Sequence, residues 1–285
     1  MKKMKLLLLP AAVLMLGIVS CPMEVNEYDG SMGPPYRFEP LKSLVLHEDF
    51  KNFKTGALDM DYNGESFGNQ HAVFFSRFNI YNINSPVTGR IDIVEEGAGK
   101  ALRLHNLQGT RSSQRTDFAV SLTSDAFSAM SGKNTLLQFR LRAQTPLLSS
   151  SSINAANVFM SRMTGVNLTP PGNRLIEARI ATNGYYQVQH NNFWESYAIK
   201  PGVWHSVEMM FDFNTDKYQV YIDGEQAFEH YFYQRAGTPS FGCFCFYNQS
   251  YNASLFISDI RISTEADTGV FTPAPNISSG SGRQQ

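Results

Sequence analysis

Between Gly184 and Tyr197 the chain reads GYYQVQHNNFWESY. Tyr185, Tyr186, Phe193, Trp194 and Tyr197 are interleaved there with the amides of Gln187, Gln189, Asn191 and Asn192. Flat apolar rings beside hydrogen-bonding amides suit a sugar, giving a platform for its C–H face and paired partners for its hydroxyls. Residues 247–252, Tyr-Asn-Gln-Ser-Tyr-Asn, repeat this chemistry on a shorter scale. Arginines complete the set. Arg140 and Arg142 lie two apart, as do Glu177 and Arg179, so on strands each pair points to one side. A guanidinium grips a carboxylate or sulfate through two parallel hydrogen bonds, which directs these residues toward acidic sugars. The candidate ligand set is Arg140, Arg142, Arg179, Tyr186, Gln187, Gln189, Trp194 and Tyr247, on the condition that their strands share one sheet. The competing reading is plainer: charges on a solvated sheet face keep the protein soluble, and the aromatics pack under loops.

Other chemistry has less support. The six histidines (47, 71, 105, 190, 205 and 230) show neither H-x-H nor HExxH spacing. His205 shares the apolar side of its strand and reads as a core histidine. No serine–histidine–aspartate signature, phosphate-binding loop or dinucleotide fingerprint is present. Cys243 and Cys245 lie two apart on an expected strand, so both thiols face one side and a disulfide between them would be strained. They read as small buried thiols.

The elements that must position these residues are β-strands. Residues 134–143 alternate, with Leu137, Phe139, Leu141 and Ala143 on one face and Gln138, Arg140 and Arg142 on the other. Residues 174–182 set Ile176, Ala178 and Ile180 against Glu177 and Arg179. Residues 203–211 and 218–222 follow the same rule, and Asp223-Gly224 is a strong hairpin signal. Residues 241–247 and 254–263 supply the last strands. No useful window carries a 3.6-residue apolar stripe, and 21 Phe with 13 Tyr suit pleated, half-buried surfaces. Many short strands between turn residues predict an all-β, antiparallel two-sheet β-sandwich over residues 43–265.

The ends differ in kind. Lys2, Lys3 and Lys5 precede an apolar run from Leu6 to Val19, too short to span a bilayer comfortably. Ile18-Val19-Ser20-Cys21 resembles the lipobox of bacterial lipoproteins. That resemblance implies a signal peptide over residues 1–20, lipidation of Cys21 and a membrane anchor made of acyl chains alone, each buried CH₂ contributing about 0.8 kcal/mol. Residues 21–42 read as the lipidated N-terminus and tether, and 266–285 as a disordered tail rich in Pro, Ser and Gly. Pro22 is not the Asp that in some bacteria signals inner-membrane retention, which points to an outer membrane or cell surface. Without Lys2, Lys3 and Lys5 the chain holds 21 Lys and Arg against 25 Asp and Glu. That mildly acidic balance, with no basic run, argues against a nucleic-acid partner.

The stretches GVWHSVE (202–208), FDFN (211–214) and YQVYIDG (218–224) resemble concanavalin A-like, or laminin G-like, jelly rolls. HEDF (47–50) followed by Gly56 is similar to their opening strand, and ISDIR (257–261) to their closing one. The resemblance covers roughly residues 44–264. It implies a jelly-roll sandwich, a glycan face on one sheet and, in many members, a structural Ca²⁺ held between first and last strands. Asp49 and Asp259 are the candidates for that site, and Ca²⁺ takes carboxylate and carbonyl oxygens.

The enzymes of that fold give a test. The E-x-D-x-x-E triplet of its retaining glucanases, which sets two carboxyl groups on one face, is absent. Alginate-lyase-like members carry R-x-E-L-R, Q-I-H and Y-x-Q; here QFRLR (138–142) keeps only Leu141 and Arg142, QVQ (187–189) has Gln189 for the histidine, and YNQ (247–249) matches. His190 falls one residue late and so on the opposite face. The expectation is a non-catalytic carbohydrate-binding or adhesive lipoprotein of the bacterial cell envelope. The alternative is a polysaccharide lyase or glycoside hydrolase acting on acidic glycans through Arg142, His190 and Tyr247.

Overall fold

The computed structural model describes residues 33–58, 70–80, 89–106, 114–144, 156–161, 174–181, 184–190, 193–232, 240–248 and 253–267. The segment read as an export signal, Cys21 and the tail beyond Asp267 lie outside the described residues. In chain order the elements are β1 Ser43–Glu48, β2 Gly56–Ala57, β3 Ala72–Ile80, β4 Gly89–Glu96, β5 Gly99–Asn106, β6 Gln114–Leu122, α1 Ser124–Ala129, β7 Thr135–Gln144, β8 Ala156–Ser161, β9 Arg174–Ala181, β10 Tyr185–His190, β11 Phe193–Ala198, β12 His205–Asp212, β13 Lys217–Ile222, β14 Glu225–Tyr231, β15 Cys243–Asn248 and β16 Ala253–Thr264.

The strands form two antiparallel sheets. Sheet A runs β14-β13-β12-β7-β16-β5-β4-β2, with β1 also on β16; sheet B runs β11-β10-β9-β8-β15-β6-β3. Alternation dictates which side of each strand is buried. On β7, Leu137, Phe139 and Leu141 are sealed while Gln138, Arg140 and Arg142 face away. Phe139 meets Phe246 of sheet B edge-on, their ring centroids 5.0 Å apart, and Phe211 of sheet A packs on Phe241 at 5.3 Å. One core therefore joins the two sheets. Asp223 and Gly224 turn β13 into β14 with φ of 53° and 82°, the left-handed pair a two-residue hairpin needs. The Asp223 carboxylate also fixes His205, whose Nδ1 lies 2.6 Å away, so that buried histidine is hydrogen-bonded inside the sandwich. Cys243 and Cys245 are buried thiols.

Two features depart from the sequence reading. Helix α1 was not expected. Its six residues are too few to show a stripe, and it is set by Thr123, whose hydroxyl accepts from the Ala126 N–H. The second is the segment read as tether. Residues 33–42 are docked across the outer face of sheet A. The buried Glu208 carboxylate accepts the Arg37 and Phe38 N–H groups at 2.6 and 2.9 Å, and Gln138 Nε2 donates to the Phe38 carbonyl at 2.8 Å. The Leu41 N–H donates to Ser263 Oγ, and the Tyr36 hydroxyl to the Asp259 carbonyl. Gly33 passes so close that a Cβ there would meet the Trp204 carbonyl oxygen at 3.0 Å. A polar ladder of this kind satisfies groups that a solvated linker would leave to water.

Candidate functional site

Strands β9, β10 and β11 form one margin of sheet B, and β11 is its edge. The register sets Gln187 between Arg179 on one side and Ser196 on the other. The side chains follow that row. Arg179 Nε donates to Gln187 Oε1 at 2.6 Å, and Gln187 Nε2 donates to Ser196 Oγ at 2.8 Å. The Arg179 guanidinium also stacks on the Trp194 ring, 3.8 Å from its centroid. Partial burial holds Arg179 below its ordinary pKa while the Glu177 carboxylate pulls the other way; a guanidinium remains charged throughout the physiological range. Gln189 is the register partner of Trp194, and Tyr185, at the other end of β10, is exposed.

The same row continues across the sheet: Arg179 is partnered by Asn157, Asn157 by Tyr247, and Tyr247 by Asp117. Tyr247 thus shares a register row with Arg179 and Gln187; its side chain lies outside the described residues. Of the predicted ligand set, Arg179, Gln187, Gln189 and Trp194 come together, and Tyr247 joins them by register.

The inner side of β11 is latched to the edge of sheet A. The Tyr197 hydroxyl donates to Glu225 Oε2 at 2.8 Å, and burial, with the Glu225 acceptor and charge, pushes that phenol up to about 12. His230 Nε2 lies 2.9 Å from Glu195 Oε2, and His190 stacks on His230 with centroids 4.0 Å apart. His190, expected to face opposite Gln187 and Gln189, does so. It belongs to the latch rather than to the Arg179 row.

Three of the predicted ligand residues are elsewhere. Arg140 and Arg142 are on β7, so they belong to sheet A and the one-sheet condition fails. Arg140 Nη1 donates to the Gly33 carbonyl at 3.0 Å, and its Nε lies 3.5 Å from Asp259 Oδ2. Arg142 pairs with Glu96 and lies over Phe256 and Trp204, with 4.1 Å to the Phe256 centroid. Both guanidiniums are engaged under the docked N-terminal segment or the satellite cluster of Trp204, Phe256 and Ala101. Tyr186 is fully buried between the sheets, tilted against Phe228. Its position is the inward one on β10, because Gln187 and Gln189 take the outward ones.

The carboxylates proposed for Ca²⁺ serve ion pairs. Asp259 sits at a bulge of β16 with φ 49°, and His47 Nε2, Arg261 Nε and Arg140 Nε surround it at 2.8, 3.0 and 3.5 Å. Burial alone would raise its pKa, but the His47 hydrogen bond and the Arg261 charge hold it below the usual range. Asp49 pairs with Lys51 at 2.9 Å. Among the described residues no three His, Cys, Asp or Glu side chains converge as a metal would require. As arranged, this donor set suits cationic side chains; Ca²⁺ would have to displace them.

Sequence reasoning missed Ser196 and Glu208. Ser196 was available from alternation, lying two residues beyond Trp194 on one strand. Glu208 reads as an ordinary outward carboxylate until the segment that covers it is known.

No protein-family model matches the chain. No curated protein matches it in sequence. Its likenesses are to solved structures. The conserved carbohydrate esterase vb_24B_21 from Shiga toxin-encoding bacteriophage phi24B superposes at TM-score 0.50 with 14% identity, covering 77% of this chain and 97% of that one. A sialidase gives 0.49 with 13% identity over 79% of this chain, and the binding domain of botulinum neurotoxin DC in complex with SialylT gives 0.46 with 13% over 78%. The chain spans 19% of that sialidase and 48% of that toxin chain. At such identities likeness speaks of fold alone, and the esterase superposition agrees with what the strand order shows: an all-β chain of antiparallel sheets sharing one core.

Proposed function

We propose that this protein is a carbohydrate-binding module on a concanavalin A-like jelly roll, displayed on the bacterial cell envelope by lipid at Cys21. The observation that carries the reading is the ordered set on sheet B: an indole, a guanidinium stacked on it, and an amide and hydroxyl holding that guanidinium in place. Aromatic face plus preoriented hydrogen-bonding groups is the chemistry of sugar recognition. Likeness in fold to a carbohydrate esterase supports it. Binding is preferred to catalysis because His190, the residue to move a proton, stacks on the latch side of β10. The register row through Tyr247 favours the second reading, a lyase or hydrolase of acidic glycans, in which that phenol and Arg179 would act on one sugar.

The test is a glycan array probed with the full chain, each hit rechecked for released unsaturated or reducing ends. The binding reading expects retention without release, and loss of retention in Trp194→Ala with an unchanged unfolding curve. Release of product moves the catalytic reading to first place. A blank array overturns both.

A further inference from the structure

Arg179 differs from the other arginines whose side chains are described. Arg103 pairs with Asp92, Arg142 with Glu96, and Arg261 with Asp259, while Arg37 donates to the Gly224 carbonyl and Arg140 to that of Gly33. Each of those charges is met by an acceptor of the protein itself, a carboxylate or a carbonyl. Among the described residues Arg179 makes no ion pair; its one acceptor is a neutral amide, Gln187 Oε1. Glu177, two residues along β9, acts on it only through its charge.

That amide takes Nε, and the indole of Trp194 takes one face of the plane. The end carrying Nη1 and Nη2 is left, two parallel N–H donors with the spacing of a carboxylate's oxygens. The orientation is enforced twice over, because Gln187 is itself held by Ser196. Fixing the fork beforehand removes the rotamer cost that a free arginine would meet on binding. A neutral hexose needs no such device, since amides and hydroxyls serve its hydroxyl groups.

We propose that Arg179 is the specificity-determining residue of the sheet B site and that it selects sugars bearing a carboxylate, with Trp194, Gln187 and Ser196 as its positioning residues. This rests on the carbohydrate-binding reading above. The carboxylate is that of a uronate within a chain or of a terminal sialate.

The full chain is titrated with polygalacturonate, with the same polymer fully methyl-esterified, with a sialylated oligosaccharide and with a neutral glucan. Esterification removes the charge and one acceptor and keeps the sugar. The proposal expects the acid form to bind at least about tenfold tighter than the ester, the scale of a charge-assisted hydrogen-bonded pair. It expects Arg179→Lys, which keeps charge but loses the fork, to shrink that ratio severalfold while the unfolding curve stays put. Ser196→Ala should lower the ratio by about two- to threefold, a loss the lysine variant no longer shows. Tighter binding of the sialylated probe than of polygalacturonate assigns the carboxylate to a terminal sugar, and the reverse order to a uronate chain. Equal binding of acid, ester and neutral glucan overturns the selectivity and leaves the carbohydrate reading standing. No binding of any probe overturns both.

Discussion

The two outer faces of this sandwich carry the same residue type at the same alternation and use it in opposite ways. On sheet A, Arg140 and Arg142 are roofed by residues 33–42 and by the Trp204–Phe256 cluster, and each is matched to a carboxylate. On sheet B, Arg179 is matched to no carboxylate among the described residues and is instead aimed by a neutral relay. An arginine neutralised within the fold contributes to stability, whereas one oriented and left charged holds its donors for something outside. The difference lies in what passes over each face.

The largest test of that comparison is Glu208→Ala. The substitution removes a buried acceptor from the Arg37 and Phe38 N–H groups and from Gln138 Nε2, and should cost about 3 kcal/mol. Urea unfolding reads it, and the glycan binding proposed for sheet B should hold within about twofold, because distant sites add independently. Stability equal to that of the parent protein would mean the docked segment does not seal sheet A.

A paired substitution comes next. Arg142→Ala should lower stability by about 2 kcal/mol, since it takes the guanidinium away from Glu96 and uncovers Phe256 and Trp204. Arg179→Ala should stay within about 0.5 kcal/mol and act on ligand affinity instead. Equal stability losses in the two variants would erase the distinction between the faces.

The sheets were legible in the sequence because alternation is a local property. Leu137, Phe139 and Leu141 declare their side without reference to any other strand, and Asp223-Gly224 declares its turn. Which sheet a strand joins is not local. Arg140 and Arg179 look alike on their own strands, and only the strand order, with β7 between β12 and β16 and β9 between β8 and β10, separates them. What covers a face is less local still: Glu208 is 171 residues from the Arg37 amide it accepts. The relay of Arg179, Gln187 and Trp194 was largely readable because β9 to β11 are consecutive hairpin strands whose register short loops fix. Tyr186 was misassigned through composition overriding alternation, since its outward neighbours Gln187 and Gln189 already placed it inward.

The two faces should also differ in their response to pH. On β1 of sheet A, burial raises the Glu48 carboxyl from 4.5 to about 7, opposed by its hydrogen bond from the Phe50 N–H. Between those values the folded protein holds a proton that the unfolded chain releases. Stability from this group is therefore full below pH 4.5 and declines as pH rises through 7. Glu48 keeps a partly exposed margin, so the decline is about 1–2 kcal/mol rather than the ~3 of a sealed group. Urea midpoints from pH 5 to 8 should fall in the parent and flatten in Glu48→Gln. A slope that survives the substitution would place the titrating group elsewhere.

The smallest effect tests the boundary between site and core. Tyr186 sits one residue before Gln187, yet its hydroxyl is buried with no hydrogen-bond partner among the described residues and its pKa is driven far up by desolvation, with the neighbouring Tyr218 adding to it. An unpaired buried hydroxyl carries a desolvation cost without return, so Tyr186→Phe should leave stability unchanged or raise it by up to about 1 kcal/mol. Binding at Arg179 and Trp194 should not move, because the phenol faces the other side of the sheet. A drop in affinity in this variant, at unchanged stability, would mean that ligand reaches between the sheets at the β11–β14 margin. The working surface would then be the latch of Glu195, His230 and His190 rather than the face above it.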